Sequence, residues 1–419
     1  MPASAIETSE STHPGIICHR MDAKESLISQ KSCICSSAIL KGTAILFVFF
    51  MKTYPDDTYH WMALYLVPGL GNIAFKNLLA HFSEPEAVFK ARLSELVEVE
   101  GIRKETARKI VDRAFSSDPE EELRKAEKFN ARIITYAHPS YPVILKEIYD
   151  PPMLLYIKGK EIPLNKTFIA VVGSRNASHY GLRAAENIGE GLGTCGVGVV
   201  SGLARGIDSA SHKGCLRGKG FTIAVTGTGI DVVYPRSNRK LLDQVTESGA
   251  VISEFPLGSP PEPRNFPIRN RIISGLSRGV VVVEATKNSG SLITASLALD
   301  QGREVFAVPG SVESFKSTGT HFLIKQGARL VENSDDIIGE LGLKQMSFQA
   351  RGFPKNGPIA PPDMDESEKK IYEMIEGYPM HIDEIVRVGE LKAGEVLGIL
   401  MRMELKGLVR QLPGKMFVR

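Results

Sequence analysis

The segment FIAVVGSRNAS, Phe168–Ser178, decides the fold of this chain. It begins with an apolar, β-branched run, Phe168–Gly173, which is typical of a strand that is buried on both faces. A turn of small residues follows, and a helix is expected from about Tyr180. A strand that passes through a short turn into a helix is the repeating unit of a parallel sheet covered by helices.

The same alternation of strand and helix patterns continues along the chain to about residue 342. It predicts an α/β domain at residues 166–342 with a Rossmann-like, doubly wound and mostly parallel sheet. Such sheets bind ligands at the carboxyl ends of their strands. The further strand runs are Val197–Gly202, Thr222–Gly227, Ala250–Phe255, Gly279–Ala285, Glu304–Gly310 and, more weakly, Arg329–Glu332.

Turns that could bind anions follow four of these runs. Each offers small residues, backbone N–H groups and hydroxyls or arginines near a helix start, where the dipole adds roughly 0.3–1 kcal/mol for an anion. One such turn could be only a helix N-cap, but four at one edge of a sheet indicate a site for phosphates. The turns are Gly173-Ser174-Arg175, Ser201-Gly202 with Arg205-Gly206, Ser289-Gly290-Ser291 and Pro309-Gly310-Ser311.

An arginine-rich segment, RNFPIRNRIISGL, spans Arg264–Leu276. It holds three arginines, Arg264, Arg269 and Arg271, around the ring of Phe266, and it has no acidic residue. Guanidinium groups beside a flat ring suit single-stranded nucleic acid, which presents both phosphates and bases. The alternative is a surface loop and helix start whose arginines pair with carboxylates.

Two further domains are expected around the α/β domain. Residues 53–136 are helical in pattern and resemble a SAM or helix-hairpin-helix domain, with glycine-containing turns at 67–72 and 99–103. Glycine there lets backbone N–H groups approach a phosphate, so DNA binding and protein interaction both remain open. Residues 137–165 are an ordered connector that ends in a short strand, Met153–Lys158.

Residues 343–365 are a proline-rich linker, and residues 366–419 predict a winged-helix-like domain of three helices and a terminal hairpin. This last domain has nine Lys or Arg and nine Asp or Glu, so its formal charges cancel. Affinity for duplex DNA depends on neutralising phosphates. A protein contact or self-association is therefore favoured over DNA binding for this domain.

Residues 1–52 lack the periodicity of a folded domain. Their apolar run, Ala44–Met51, is too short to span a bilayer, and some forty residues precede it, which does not fit a signal peptide. We expect either a disordered tail or sequence that lies upstream of a true start at Met51.

The composition is that of an ordinary globular protein, with 43% hydrophobic and 24% charged residues and a formal net charge of +3. Five cysteines without framework spacing favour the reducing cytoplasm. The chain has no Walker A motif and no dinucleotide fingerprint, and His179, His212 and His321 have no readable catalytic partner. We therefore predict a protein that binds a phosphate backbone without cutting it, with no catalytic residue, cofactor, metal or membrane association.

Eight motifs follow one another between Ala170 and Gly339: VVGSR (Val171–Arg175), SGLARGID (Ser201–Asp208), YP (Tyr234-Pro235), SEFP (Ser253–Pro256), FPIRNRIISGLS (Phe266–Ser277), VVEA (Val282–Ala285), SGSLITA (Ser289–Ala295) and VPG (Val308–Gly310). In this order they resemble the DNA-processing protein A family, DprA/Smf. The departures are Ser211, where the family commonly has Ala, and the segment TGTG at 226–229. Neither departure removes a charge.

The resemblance implies a non-catalytic, cytoplasmic protein that binds and protects incoming single-stranded DNA. It also implies a homodimer that helps to load the RecA recombinase during natural transformation. Arg175 would contact a phosphate, and Phe266 would either stack on a base or plug the core of the domain. The implied DNA-binding residues are Gly173, Ser174, Arg175, Ser201, Gly202, Arg205, Gly206, Phe266, Arg269, Asn270, Arg271, Ser289, Gly290 and Ser291.

The alternative function is an enzyme, because the same architecture resembles the LOG-type phosphoribohydrolases of nucleotide monophosphates. Those enzymes carry a P-G-G-x-G-T-x-x-E motif. The corresponding turn here, Asn288–Thr294, lacks the paired glycines and the acid.

Overall fold

The computed structural model describes residues 57–343, 364–375, 379–389, 391–406, 408–412 and 414–418. The predictions for residues 1–52 and for linker positions 344–363 lie outside these ranges. Within them, no helix is both long enough and apolar enough to cross a bilayer.

A nine-stranded sheet forms the centre of the molecule, in the order β1-β2-β6-β5-β4-β3-β7-β8-β9. The strands β3 to β9 pair in parallel, which confirms the doubly wound prediction and all seven strand runs. The strands are β1 Arg132–Thr135, β2 Leu154–Gly159, β3 Phe168–Val172, β4 Gly198–Ser201, β5 Thr222–Val225, β6 Ala250–Ser253, β7 Gly279–Val282, β8 Glu304–Ala307 and β9 Arg329–Leu330.

Two antiparallel strands extend this sheet beyond the predicted domain. β2 pairs with β6, and β1 pairs with β2, with Arg132 opposite Ile157 and Thr135 opposite Leu154. The prediction of helix up to residue 136 is therefore wrong at 132–135. A strand of four residues is too short to show a clear alternation of apolar and polar positions. Its pairing partner also lies some twenty residues further along the chain, so no local signal reveals it.

Helices cover both faces of the sheet. Side chains of β3 alternate between them: Ile169 and Val171 pack on the face of α8, α9 and α14, whereas Phe168, Ala170 and Val172 pack on the face of α11, α12 and α13. The helices of this part are α7 Val143–Lys146, α8 His179–Thr194, α9 Ile207–Arg217, α10 Arg239–Ser248, α11 Asn265–Gly275, α12 Gly290–Asp300, α13 Thr318–Lys325 and α14 Ser334–Glu340.

Six helices precede the sheet, and the first five enclose a core around Trp61, Phe75 and Leu96, whereas α6 packs against the sheet. The turns predicted at 67–72 and 99–103 each lead into a helix, α2 and α5. The six helices are α1 Thr58–Tyr65, α2 Asn72–Phe82, α3 Pro85–Lys90, α4 Leu93–Glu98, α5 Lys104–Val111 and α6 Pro119–Lys128.

The C-terminal part is a winged helix, as predicted. Three helices pack around Ile371, Ile385 and Leu400, and three short strands form a sheet in the order β10-β12-β11. The elements are α15 Glu366–Met374, β10 Met380–His381, α16 Ile382–Gly389, α17 Ala393–Leu405, β11 Arg410–Leu412 and β12 Met416–Val418.

Candidate nucleic-acid interface

The strand order reverses at β3, whose neighbours are β4 on one side and β7 on the other. A crevice is expected at the carboxyl ends of the strands at such a point, and two connected cavities lie there. The inner pocket, of about 300 Å³, is lined by Arg175, Asn176, Gly202, Ala204, Arg205, Thr226, Gly227, Thr228, Tyr234, Pro235, Phe266 and Arg269. The outer groove, of about 450 Å³, shares several of these residues and adds Gly173, Asn270, Ser289, Gly290 and Ser291.

Phe266 forms the wall between the two cavities. It is only partly buried, so the alternative that it plugs the core is not supported. The guanidinium carbon of exposed Arg175 lies 5.4 Å from the centre of the Phe266 ring, and the ring of Tyr234 lies 5.5 Å away, centre to centre. A Cβ on Gly227 would come within 2.9 Å of the ring. Glycine therefore lets the ring lie against the backbone after β5.

Arg269 also lines both cavities, but its side chain is an internal support. It is 4% exposed, and it donates from Nη1 to the carbonyl oxygens of Gly202, at 2.9 Å, and Val225. Burial lowers its pKa to about 10, against the opposing charge of Asp208, so it remains protonated at neutral pH. Its charge contributes to the potential of the site, while its position holds the loop after β4.

Asp208 completes that support. Its carboxylate accepts from the backbone N–H groups of Gly202, at 3.1 Å, and Ala204, at 3.3 Å. Burial raises its pKa, and the charge of Arg269 opposes that shift. A Cβ on Gly202 would lie 2.5 Å from Arg269 Nη2 and 2.7 Å from Asp208 Oδ2, so this position requires glycine.

Arg271 points away from the cavities, and the prediction that it lines the DNA groove is wrong. It is 7% exposed and is held by Glu254, with Nη2 to Oε1 at 2.6 Å and Nη1 to Oε2 at 2.9 Å. Its Nε donates to Asp150 at 3.0 Å. Positions two residues apart on a helix point in nearly opposite directions, which separates Arg271 from Arg269.

Glu254 also fastens the N-terminal helices to the sheet. The Asn72 amide at the start of α2 donates to Glu254 at 2.7 Å and accepts from the backbone N–H of Met153 at 3.3 Å. The Tyr65 hydroxyl donates to the backbone carbonyl of Glu254. The Asn72 side chain at the start of α2 is therefore engaged by the protein itself, while Gly69 and Gly71 of this turn are exposed.

Of the other predicted residues, some line the cavities and others hold the loops that form them. Ser201 is fully buried, and its hydroxyl donates to the carbonyl of Val171 at 2.6 Å, so its predicted side-chain contact with DNA is wrong. Gly206 has φ +78°, and a Cβ there would collide with the carbonyl of Ser174. Glycine at this position therefore lets the loops after β3 and β4 pack closely together. Arg205 is exposed on the wall of the inner pocket.

At the start of α12, the predicted residues form an N-terminal cap. The Ser289 hydroxyl accepts from the backbone N–H of Ser291 at 3.3 Å and lies 2.7 Å from the Ser291 hydroxyl. Asn270 donates to the carbonyl of Gly290 over 3.5 Å. A Cβ on Gly290 would meet nothing within 4 Å, so this turn is open to a ligand.

Sequence reasoning gave no role to the residues of the inner pocket that come from the loops after β5. Thr226, Gly227, Thr228 and Tyr234 line this pocket. The YP motif includes Tyr234, and the other three belong to the TGTG segment, which was distinguished only as a departure from the family pattern. The remaining residues became recognisable when the sheet brought the loops after β4 and β5 beside Phe266.

Acid–base chemistry is poorly provided for in the part of the chain that the structure describes. Buried His212 lies with Nδ1 2.7 Å from the Thr222 hydroxyl, and burial together with Arg269 lowers its pKa to about 3. It is fully buried and lines neither cavity, so it is not placed to act as a base there. No group of three or more His, Cys, Asp or Glu among the described residues could hold a metal ion.

Comparisons with known proteins agree with this architecture. The family model described as DNA recombination-mediator protein A matches residues 132–342, which begin at β1, and the DprA winged helix domain matches residues 355–415. Protein Smf of Synechocystis sp. is 36% identical over 394 residues, 86% of this chain and 98% of that protein. Protein Smf of Escherichia coli is 41% identical over 69% of this chain and 77% of its own length.

Among solved structures, DNA processing protein A from Streptococcus pneumoniae is 38% identical to this chain. The match covers 67% of this chain and 97% of that one, with a TM-score of 0.61. The central sheet, the winged helix and the near full-length match to the Synechocystis protein lead to one conclusion. The chain belongs to the DNA-processing protein A family, DprA/Smf.

Proposed function

We propose that this protein binds single-stranded DNA in the outer groove and does not cut it. The observation that carries the proposal is the pairing of exposed Arg175 with the ring of Phe266, at 5.4 Å, on the carboxyl edge of the sheet. A phosphate would accept from Arg175 and from the open turn at Gly290, and a base would stack on Phe266. Cationic grooves with aromatic platforms are the common solution for single strands.

The shape of the site favours single strands over a duplex. Phe266 and Tyr234 line a pocket of about 300 Å³, and only an unstacked base could reach their rings. In a duplex the faces of the bases are already covered by stacking. We therefore expect duplex DNA to contact only the rim of the outer groove.

The role that we propose for this binding follows the family. The protein would act as a homodimer in the cytoplasm, protect incoming single-stranded DNA and help to load the RecA recombinase during natural transformation. The description of the matching family model as a recombination mediator supports this role. The cytoplasm also fits the free thiols of Cys195 and Cys215.

A titration of labelled oligo-dT, followed by fluorescence anisotropy at two salt concentrations, tests the proposal. We expect binding that weakens as salt rises, with a log–log slope of about −0.7 for each phosphate neutralised, and much weaker binding of a duplex of the same length. Equal affinity for duplex and single strand would contradict the proposal. Released adenine after incubation with AMP would instead favour the phosphoribohydrolase alternative.

Phe266→Ala is expected to weaken oligo-dT binding by roughly 1–3 kcal/mol, the contribution of one stacked base. The substitution should leave the fold intact, because Phe266 is a wall residue. The same anisotropy titration measures the loss, and the thermal unfolding midpoint checks the fold. Phe266→Tyr retains the ring and is expected to bind nearly as well as the wild type, whereas an equal loss in both variants would rule out stacking.

A further inference from the structure

A third cavity, the side groove, opens at the carboxyl ends of β7 and β8, next to the start of α8. Its volume is about 350 Å³, and its lining includes Ser178, Glu284, Glu313, Phe315 and Lys316. Phe315 is 68% exposed, an unusual state for so large an apolar side chain. An exposed ring beside a lysine repeats the combination found at Phe266 and Arg175.

The side groove and the outer groove share two segments of chain, although most of the side-groove lining comes from the loop after β8. The loop after β3 supplies Arg175 to the outer groove and Ser178 to the side groove. The segment after β7 supplies Glu284 to the side groove, and Ser289 with Gly290 to the outer groove. The residues that face the two grooves are thus three positions apart in the first segment, and five or six apart in the second.

The crest between the grooves is polar and cationic. Lys287 and Asn288 are exposed between Glu284 and Ser289, and Asn176, which also lines the inner pocket, is exposed between Arg175 and Ser178. A phosphate backbone that leaves Arg175 would meet the Lys287 ammonium group and two amide side chains on its way to the side groove. These are groups that donate hydrogen bonds to phosphate oxygens.

We infer that the bound DNA strand continues from the outer groove, across this crest, into the side groove, where a further base stacks on Phe315. Lys287 and Lys316 accompany the backbone on this path. The inference rests on the proposed function and adds a second stacking residue to it. It makes the site longer than the pocket around Phe266.

The platform for that base is held in place by backbone hydrogen bonds. The carbonyl of Lys316 accepts from Ala285 N–H at 2.9 Å, and the Ala285 carbonyl accepts from Gly319 N–H at 2.7 Å. Ala285 therefore fixes the position of the segment that carries Phe315. A platform that is already ordered costs less conformational entropy when a ligand binds.

Two carboxylates line the side groove and oppose phosphate to different extents. Glu284 is 3% exposed, and it accepts from the backbone N–H of Ser178 at 2.9 Å, at the start of α8, where the helix dipole offsets its charge. Glu313 is exposed on the wall, and its negative charge counters the positive charge of Lys316. We expect Glu313→Gln to tighten the binding of a strand that reaches this groove.

The test compares oligo-dT of about five and about fifteen nucleotides, near the two ends of the usual range of single-strand site sizes. Phe315→Ala is expected to weaken binding of the long oligonucleotide about tenfold, the low end of the contribution of one stacked base. Binding of the short one should stay within about twofold. Glu313→Gln should tighten binding of the long oligonucleotide alone.

Tyr149→Ala is the matched control, because Tyr149 is 82% exposed and lines neither groove. Thermal unfolding midpoints establish that the variants are folded. An unchanged affinity of Phe315→Ala for the long oligonucleotide, or an equal loss at both lengths, would overturn the inference. If the wild type binds neither length, the proposed function itself fails, which is a distinguishable result.

Discussion

Replacing Arg175 with alanine is expected to weaken binding of single-stranded DNA by roughly 10- to 150-fold, which corresponds to about 1.5–3 kcal/mol for a hydrogen bond to a charged group. Arg175 is exposed and lines both the inner pocket and the outer groove. The two arginines of α11 cannot replace it, because Arg269 is buried on backbone carbonyls and Arg271 is held by Glu254. Anisotropy titration with labelled oligo-dT measures the loss.

Arg264→Ala is the matched control for the loss of one positive charge. Arg264 lies in the same arginine-rich segment but pairs on the surface with Glu262 at 2.6 Å, so we expect a change of less than about threefold, as for most surface ion pairs. Arg175→Lys keeps the charge without the planar donor fork and should fall between the two. Equal losses in Arg175→Ala and Arg264→Ala would mean that net charge, and not this contact, determines affinity.

Glu254→Ala is expected to lower the free energy of unfolding by about 3–5 kcal/mol, the usual effect of removing one partner of a buried ion pair. The variant would leave Arg271 buried with Asp150 as its remaining carboxylate partner, and Asn72 would lose the acceptor at 2.7 Å. Urea unfolding followed by circular dichroism measures the change. The expected loss is a large share of the stability of a typical domain.

A surface carboxylate provides the comparison for Glu254. Glu86 pairs with Lys90 at 2.6 Å on an exposed helix face, and Glu86→Ala should leave stability almost unchanged, because solvent screens exposed ion pairs. Glu254→Gln keeps the shape and an acceptor but removes the charge, so its effect should be intermediate. A loss in Glu254→Ala no larger than that in Glu86→Ala would contradict the role assigned to this carboxylate.

The parts of the fold that were predicted correctly are those with local signals. Apolar β-branched runs such as Phe168–Gly173 identified the strands from β3 to β8, because strands buried on both faces have an apolar composition. The strand β9 is exposed and had the weakest signal. Glycine turns before helices located the start of α2 and the open turn at Gly290. The winged helix followed from the spacing of its three helices and hairpin.

The errors arose where the geometry depends on distant parts of the chain. The composition around Arg271 suggested a groove residue, but its direction depends on the phase of α11, and its partners lie 17 and 121 residues away, at Glu254 and Asp150. The strand β1 needed its partner β2 to be recognised. Ser201 has a residue type that suits phosphate, yet it is fully buried because both faces of β4 are covered by protein.

The contacts that Asn72 makes at the start of α2 change what counts as one domain. Sequence patterns separate the six N-terminal helices from the sheet, but Asn72 and Tyr65 both close on Glu254, and Glu254 holds Arg271 on the helix that carries Phe266. A fragment cut at residue 132 would expose that carboxylate to solvent on one side. The helices and the sheet therefore form one cooperative unit, and the DNA groove is intact only when the whole unit is folded.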